Sequence, residues 1–342
     1  MRIQTDSVIS LNKQAWDTYI VTHPQATHYH LSGWGAVIER VYRYSSLYVS
    51  AWDADRLVGV VPLVTLGGLL RRKSMVSMPY VDYGGICADT PAIGYALYRG
   101  IERELTARQI SLLDLRHRME TQVPLDTYGD KVTMVLPLEN DTDQMWKSFG
   151  AKLRNQIRKA EKEQLQTQWM DAKGLPDFYY VYLHNMRDLG SPPHSVKFFQ
   201  RIIETFPDTQ FLLVRFGTRV VGGGLCLVFQ DTMLVPWASS LRSYFRLCPN
   251  NLLYWEAIRS ACERGLQRFD FGRSSRGSGT YNFKKQWGAL EEPLHWQASV
   301  GGGDLTNEES HAALAWVVEA WKRLPVSVTR VIGPLVRRRL SN

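Results

Sequence analysis

The chain has 342 residues, a length that suggests two domains rather than one. Apolar residues make up 44% and charged residues 22%, the balance of a packed globular protein rather than a disordered or fibrous one. The formal net charge of +8 favours an anionic partner: phosphate, nucleic acid, acidic glycan or anionic membrane surface.

The opening stretch MRIQTDSVISLNKQAW has no apolar core of the kind a signal peptide carries. No run of about 18 uncharged apolar residues follows, so a cytoplasmic protein without a spanning helix is expected. His28 and His30 are the one close histidine pair, with no carboxylate at ligand spacing, and no metal is expected there. Cys87, Cys226, Cys248 and Cys262 are far apart and form no CxxC, which excludes a zinc ribbon.

An internal repeat organises the rest. LYVSAWDADRLVGVVPLV near residue 50 and FLLVRFGTRVVGGGLCLV near residue 213 each read as strand, polar turn, strand. Arg56, Val58 and Gly59 align with Arg219, Val221 and Gly222 without a gap. A helical stretch precedes each hairpin (GWGAVIERVYR; VKFFQRIIETF) and another follows (YALYRGIERELTARQI; NLLYWEAIRSACERGL). Each second helix runs into a short strand bearing Asp and Arg, SLLDLRHR and RFDFGRSS. Two copies of one α/β unit follow from this order, with helices on both faces of mixed sheets. The expected domains are 1–145 and 146–300, with a helical tail over 301–342.

Between these elements lie the candidate sites. MPYVDYGGI (78–86) is a poor strand; Gly84 and Gly85 permit close backbone approach beside Asp82 and Tyr83. AKLRNQIRKAEKEQL (151–165) has an apolar helical stripe and, on another face, Arg154, Arg158 and Lys162. That face is either a solvated surface or a phosphate-binding ridge. Arg187 and Asp188 sit in NMRDLGSPP, between His184 and His194. RVVGGG (219–224) matches an R-x-x-G-x-G phosphate loop, but it continues as LCLVF, a strand. Its glycines are expected to thin a strand so that something approaches its backbone.

The stretch FDFGRSSRGSGTYNFKKQWGA (269–289) carries the densest signal. A helix capped by Asn250 or Asn251 leads into a strand ending in Asp270 and Arg273. The Ser274–Gly279 loop follows, then Lys284 and Lys285 in an alternating strand, one facing a cleft and the other solvent. Beyond it, 300–308 reads as a linker. Two short amphipathic helices follow, with Ser310 as a cap and Pro325 and Pro334 as interruptions. Arg337, Arg338 and Arg339 beside Val331, Ile332, Leu335 and Val336 suit either a peripheral membrane contact or a helix docked on the protein.

FDFGRSSRGSGTYNFKKQWGA, RNQIRKAEK, MRDLGSPPHSVKFFQRI and PNNLLYWEAI resemble the FemAB-related proteins of the GNAT superfamily, in particular the PEP-CTERM/exosortase-associated branch found with exopolysaccharide genes. The resemblance spans roughly residues 5–340. It implies tandem GNAT-like α/β domains and acyl or aminoacyl transfer to an amine or hydroxyl of a cell-envelope precursor. No bound cofactor is implied; acyl-CoA or aminoacyl-tRNA serves as co-substrate. The acceptor is a small molecule or a lipid- or nucleotide-linked glycan, tRNA is a candidate partner, and the place of action is the cytoplasm or the inner face of the membrane. The chain lacks the long coiled-coil arm of some Fem members.

On this reading Arg273, Lys284 and Lys285 hold phosphate or stabilise negative charge, and Asp270 orients Arg273 or acts as base. Asp82, Tyr83, Tyr254 and Arg187 shape the acceptor pocket, Gly84 lets the ligand near the backbone, and Arg154 and Arg158 bind acceptor phosphates. Backbone N–H groups at Gly222–Gly224 supply the oxyanion contact. The competing class is a non-catalytic protein binding anionic polysaccharide or nucleic acid on a GNAT-like fold.

Overall fold

The computed structural model describes residues 1–68, 71–299 and 308–340. Residues 300–307 of the expected linker and the Ser310 side chain fall outside this description. Two compact units divide the chain. The first begins with β1 (Arg2–Asp6), α1 (Lys13–Thr22), α2 (Gly33–Tyr42), β2 (Ser45–Asp53) and β3 (Arg56–Gly68). It continues with β4 (Arg71–Val76), β5 (Cys87–Ala88), α3 (Pro91–Arg108), β6 (Leu112–His117) and β7 (Asp126–Thr127).

The second unit contains β8 (Lys131–Pro137), α4 (Thr142–Ser148), α5 (Ala151–Lys162), β9 (Leu165–Met170), α6 (Leu175–Leu189) and α7 (Val196–Thr205). Then come β10 (Gln210–Phe216), β11 (Arg219–Phe229), β12 (Thr232–Ser240), α8 (Pro249–Glu263), β13 (Arg268–Ser275), α9 (Gly279–Lys285) and β14 (Leu290–Pro293). β15 (His295–Ala298) returns to the first unit, and α10 (Glu308–Lys322) and α11 (Val326–Arg337) complete the chain.

The first sheet runs β1-β2-β3-β4-β6-β15-β7, with β5 on β3. The second runs β14-β8-β13-β12-β11-β10-β9. The fold is therefore mixed α/β, and the order helix, hairpin, helix, strand occurs in both units. Composition put the boundaries at 145/146 and 300/301; strand pairing divides the chain elsewhere. β8 already belongs to the second sheet through β13, and β15 pairs β6 and β7 of the first. The tail helix α11 clusters with the second unit.

Central strands are buried along nearly their whole length because helices cover the sheet. β11 shows why it carries three glycines. A Cβ at Gly223 would sit 3.2 Å from Leu213 and 3.4 Å from Phe178 of α6; one at Gly224 would sit 3.3 Å from Leu253 of α8. The glycines do thin the strand, but the groups that approach it are the unit's own core side chains. α8 contributes Leu252, Leu253, Ala257, Ile258 and Ala261 to that core, against Phe269 and Phe271 of β13 and Trp287.

Four histidines are buried and held neutral. His28 accepts from the Trp34 indole N–H (3.0 Å). His30 accepts from the Thr27 N–H through Nδ1 and meets the Gly85 carbonyl through Nε2, each at 3.0 Å. Burial depresses His28 and His117 to about 3 and His30 to about 4, and holds His194 well below its ordinary value. A lowered folded-state pKa means that the unfolded chain binds the extra protons below pH ~6.5. Stability is then fully present above that pH and falls on acidification towards pH ~4, by up to about 1.4 kcal/mol per pH unit for each histidine. Urea midpoints measured from pH 7 to pH 4 should drop steeply, and His28→Gln should reduce the slope.

Candidate functional site

The site is built where two strands of the second sheet stop pairing. β12 and β13 run parallel and pair only at Thr232–Arg268, Met233–Phe269 and Leu234–Asp270. β12 continues to Ser240 and β13 to Ser275. Just past the last pair β13 has an irregularity between Asp270 and Arg273, and Gly272 takes φ 74°, a left-handed conformation that glycine adopts without strain. Two charged side chains hold this bulge. The Asp270 carboxylate accepts from the Gly272 N–H and the Thr133 hydroxyl, both at 2.8 Å. The Lys284 ammonium donates to the Gly272 carbonyl (2.8 Å) and the Arg273 carbonyl (2.9 Å). Asp270 is 1% exposed and Lys284 7%.

After β12 the chain makes a short helical turn, Arg242–Leu247, and enters α8 through Cys248 at φ 58°. Neither asparagine caps the helix. Asn250 accepts from the Ser240 hydroxyl (2.5 Å), and Asn251 donates to Gln156 of α5 (3.2 Å). Both side chains are engaged elsewhere, and the left-handed Cys248 makes the turn instead. Burial pushes the Cys248 thiol up, opposed by the charge of nearby Lys159. Exposed Arg242 and Arg246 precede the helix. The α8 N-terminus, with its partial positive charge, is thus surrounded by Lys159, Arg242 and Arg246.

The other sequence-predicted residues take varied places. Lys284 and Lys285 lie on a helix, not a strand, because Ser278 caps α9 by accepting from the Tyr281 N–H (3.2 Å). One lysine is buried and the other exposed, as expected, but Lys284 faces the bulge of its own sheet. Lys285 lies over the Tyr281 ring at 5.7 Å. Tyr254 is core: it is 7% exposed and packs on Phe271 (5.1 Å) and Phe283 (5.4 Å). Arg187 is spent on Asp188 (2.6 Å) and on the Leu324 carbonyl ahead of α11 (3.4 Å), so it fixes the tail. Arg154 donates to the Lys147 carbonyl (3.1 Å), and Arg158 is exposed over the Trp146 ring at 5.4 Å. Asp82, Tyr83 and Gly84 belong to the first unit. The structure brings together Asp270, Arg273 and Lys284; Arg154 and Arg158 share α5.

The first unit repeats the parallel contact, Ser74–Leu112, Met75–Leu113 and Val76–Asp114. Here the chain itself occupies the far side. The Ser77 N–H donates to the Asp114 carbonyl (2.9 Å), and the Gly84 N–H to the Arg116 carbonyl (3.0 Å). A Cβ at Gly85 would fall 2.3 Å from the His117 ring, and Tyr83, 1% exposed, packs on Tyr29 at 5.2 Å. Asp82–Gly85 thus belong to a packed plug. The unit's open hollow, about 630 Å³, lies elsewhere, lined by Tyr19, His23, Trp52, Arg56 and Asp89, and contains none of the predicted residues.

Residues 147–285 match the family model described as Acetyltransferase (GNAT) domain. The match takes in α5, the β12–β13 contact, α8 and Lys284. FemX shares the fold over 89% of this chain and 98% of its own, with TM-score 0.72 and 14% identity. L-PGS from Bacillus licheniformis covers 94% of this chain and 97% of its own (TM-score 0.58, 10% identity). A tandem GNAT protein from the clavulanic acid biosynthesis pathway covers 87% and 97% (TM-score 0.53, 10% identity). These likenesses are of fold, and the architecture is that of tandem GNAT-like proteins. No curated protein matches the chain.

In GNAT terms the residues missed by sequence reasoning are Arg242, Arg246 and Lys159. The turn RSYFRLCPNN carries no glycine signature, and a left-handed cysteine is not a recognised cap. Its position between a strand and a strong helix pattern was the available signal.

Lys284→Met removes a buried cation from two carbonyls and should cost about 2 kcal/mol, a drop in Tm of about 4–8 °C. Lys285→Ala should stay within about 0.5 kcal/mol of the parent. Thermal melts of the two variants check this.

Proposed function

We propose that the protein transfers an acyl or aminoacyl group from an activated, phosphate-bearing donor to an amine or hydroxyl of a cell-envelope precursor. The observation that carries the reading is the GNAT-domain match over residues 147–285, centred on the point where β12 and β13 stop pairing. The donor's phosphates lie at the α8 N-terminus among Lys159, Arg242 and Arg246. Its extended arm lies along β12 beyond Leu234, where strand N–H and C=O groups bind a chain as a further strand would. N–H groups of this strand face the reacting carbonyl and stabilise its developing oxyanion.

Asp270 and Lys284 act as positioning residues: they hold the bulge that keeps the two strands apart. Arg273 follows the bulge and faces the donor or the acceptor. Arg154 and Arg158 meet acceptor phosphates of a nucleotide- or lipid-linked glycan. The FemX-like fold favours an envelope acceptor of the exopolysaccharide or peptidoglycan kind, and the PEP-CTERM-associated resemblance favours the former. Acyl-CoA and aminoacyl-tRNA are the two donors that fit a phosphate-binding helix end.

A thermal-shift screen against acetyl-CoA, longer acyl-CoAs and a charged tRNA tests the donor. Ligand at 100 times its Kd should stabilise by about 2.7 kcal/mol. The shift should vanish in Lys159→Ala/Arg246→Ala while the unliganded Tm holds. Binding of anionic polysaccharide or nucleic acid with a steep salt dependence, and no response to any donor, would instead make it a binding protein.

A further inference from the structure

The C-terminal helices dock by their small residues and leave their large apolar ones outside. In α11 the buried positions are Thr329 and Gly333; a Cβ at Gly333 would meet Pro193 at 2.4 Å. In α10, Val318 lies so close to Gly190 that a Cβ there would sit 2.5 Å from it, and Trp321 is 7% exposed. The docked side is therefore fully spent. On the other side Val328, Val331 and Leu335 recur at helical spacing, and Val331 and Leu335 are 68% and 67% exposed. Trp316 on α10 is 74% exposed, with exposed Val317 beside it.

Exposed charge on these helices and the residues that follow is mostly positive: Arg323, Arg330, Arg338 and Arg339. Glu319, the exposed acid of α10, is paired with Lys322 at 2.5 Å. No helix among the described residues is long and apolar enough to cross a membrane.

We propose that the outer face of α10 and α11 lies on an anionic lipid bilayer surface. Val328, Val331, Leu335 and Trp316 enter the headgroup boundary, and the arginines meet lipid phosphates. The order of the chemistry argues for a bilayer rather than a folded partner. Aliphatic residues, an exposed tryptophan and adjacent arginines suit an interface that is apolar inside and anionic outside.

The test is co-sedimentation of the full chain with phosphatidylcholine vesicles, with and without phosphatidylglycerol. The protein should pellet with the anionic vesicles and weakly with the neutral ones. Val331→Asp/Leu335→Asp should reduce partition by about tenfold or more with Tm unchanged, since both sites are exposed. Arg338→Gln/Arg339→Gln should reduce it comparably and flatten its salt dependence. Should the aspartate pair unfold the chain, Val331→Ser/Leu335→Ser serves in its place. Failure to pellet with anionic vesicles overturns the proposal, as does wild-type partition of the apolar-face variant. A dimer in sedimentation velocity that the same variant dissolves would give the face to a second copy, and also overturns it.

Discussion

The second unit depends on an ammonium held against two carbonyls. Lys284 is buried and donates to Gly272 and Arg273, where β13 bends away from its parallel neighbour. A buried charge is costly unless its hydrogen bonds are made, so this contact fixes α9 on β13. Asp270 completes the arrangement from the other side by accepting the Gly272 N–H. The strand cannot straighten while both bonds stand. A sheet that would otherwise continue its ladder is obliged to leave one pair of strands unzipped, and that departure from regularity gives the site its room.

The same three-residue parallel contact in the first unit has the opposite outcome. There the chain fills the departure with its own loop, whose backbone bonds to Asp114 and Arg116 and whose Gly85 lies against His117. Depressed histidine pKa values follow from that dense packing. The two units share an architecture and differ in whether backbone or ligand takes the space.

The repeat, the mixed sheets and both crossover helices were legible because each depends on local patterning: hairpin alternation, helical spacing, an Asp/Arg strand after each helix. The pair Lys284–Lys285 was recognised as one inward and one outward, but on the wrong element. Ser278 as a cap four to seven residues upstream was the sign of a helix. Tyr254 and Arg187 looked like pocket residues because aromatic and basic side chains suit pockets; their packing on Phe271 and pairing with Asp188 depend on contacts that no local pattern encodes. The glycines of β11 were correctly taken as thinning a strand, while the neighbours that need the space come from α6 and α8, distant in sequence. The collar of Lys159, Arg242 and Arg246 was invisible for the same reason: three segments supply it.

The place of β15 in the first sheet bears on how the chain is born. His295–Ala298 pairs with both β6 and β7, so those strands have no partner on that side until residue 298 has been made. Vectorial synthesis normally lets an N-terminal domain close before the next one emerges. Here the whole second sheet leaves the ribosome while the first still waits for its last strand. The early product is a sheet with an open edge, the kind of surface that pairs with neighbouring nascent chains. Slow elongation through the second unit would lengthen that exposure, so high-level expression of this fold is a contest between translation speed and chaperone occupancy of one strand edge.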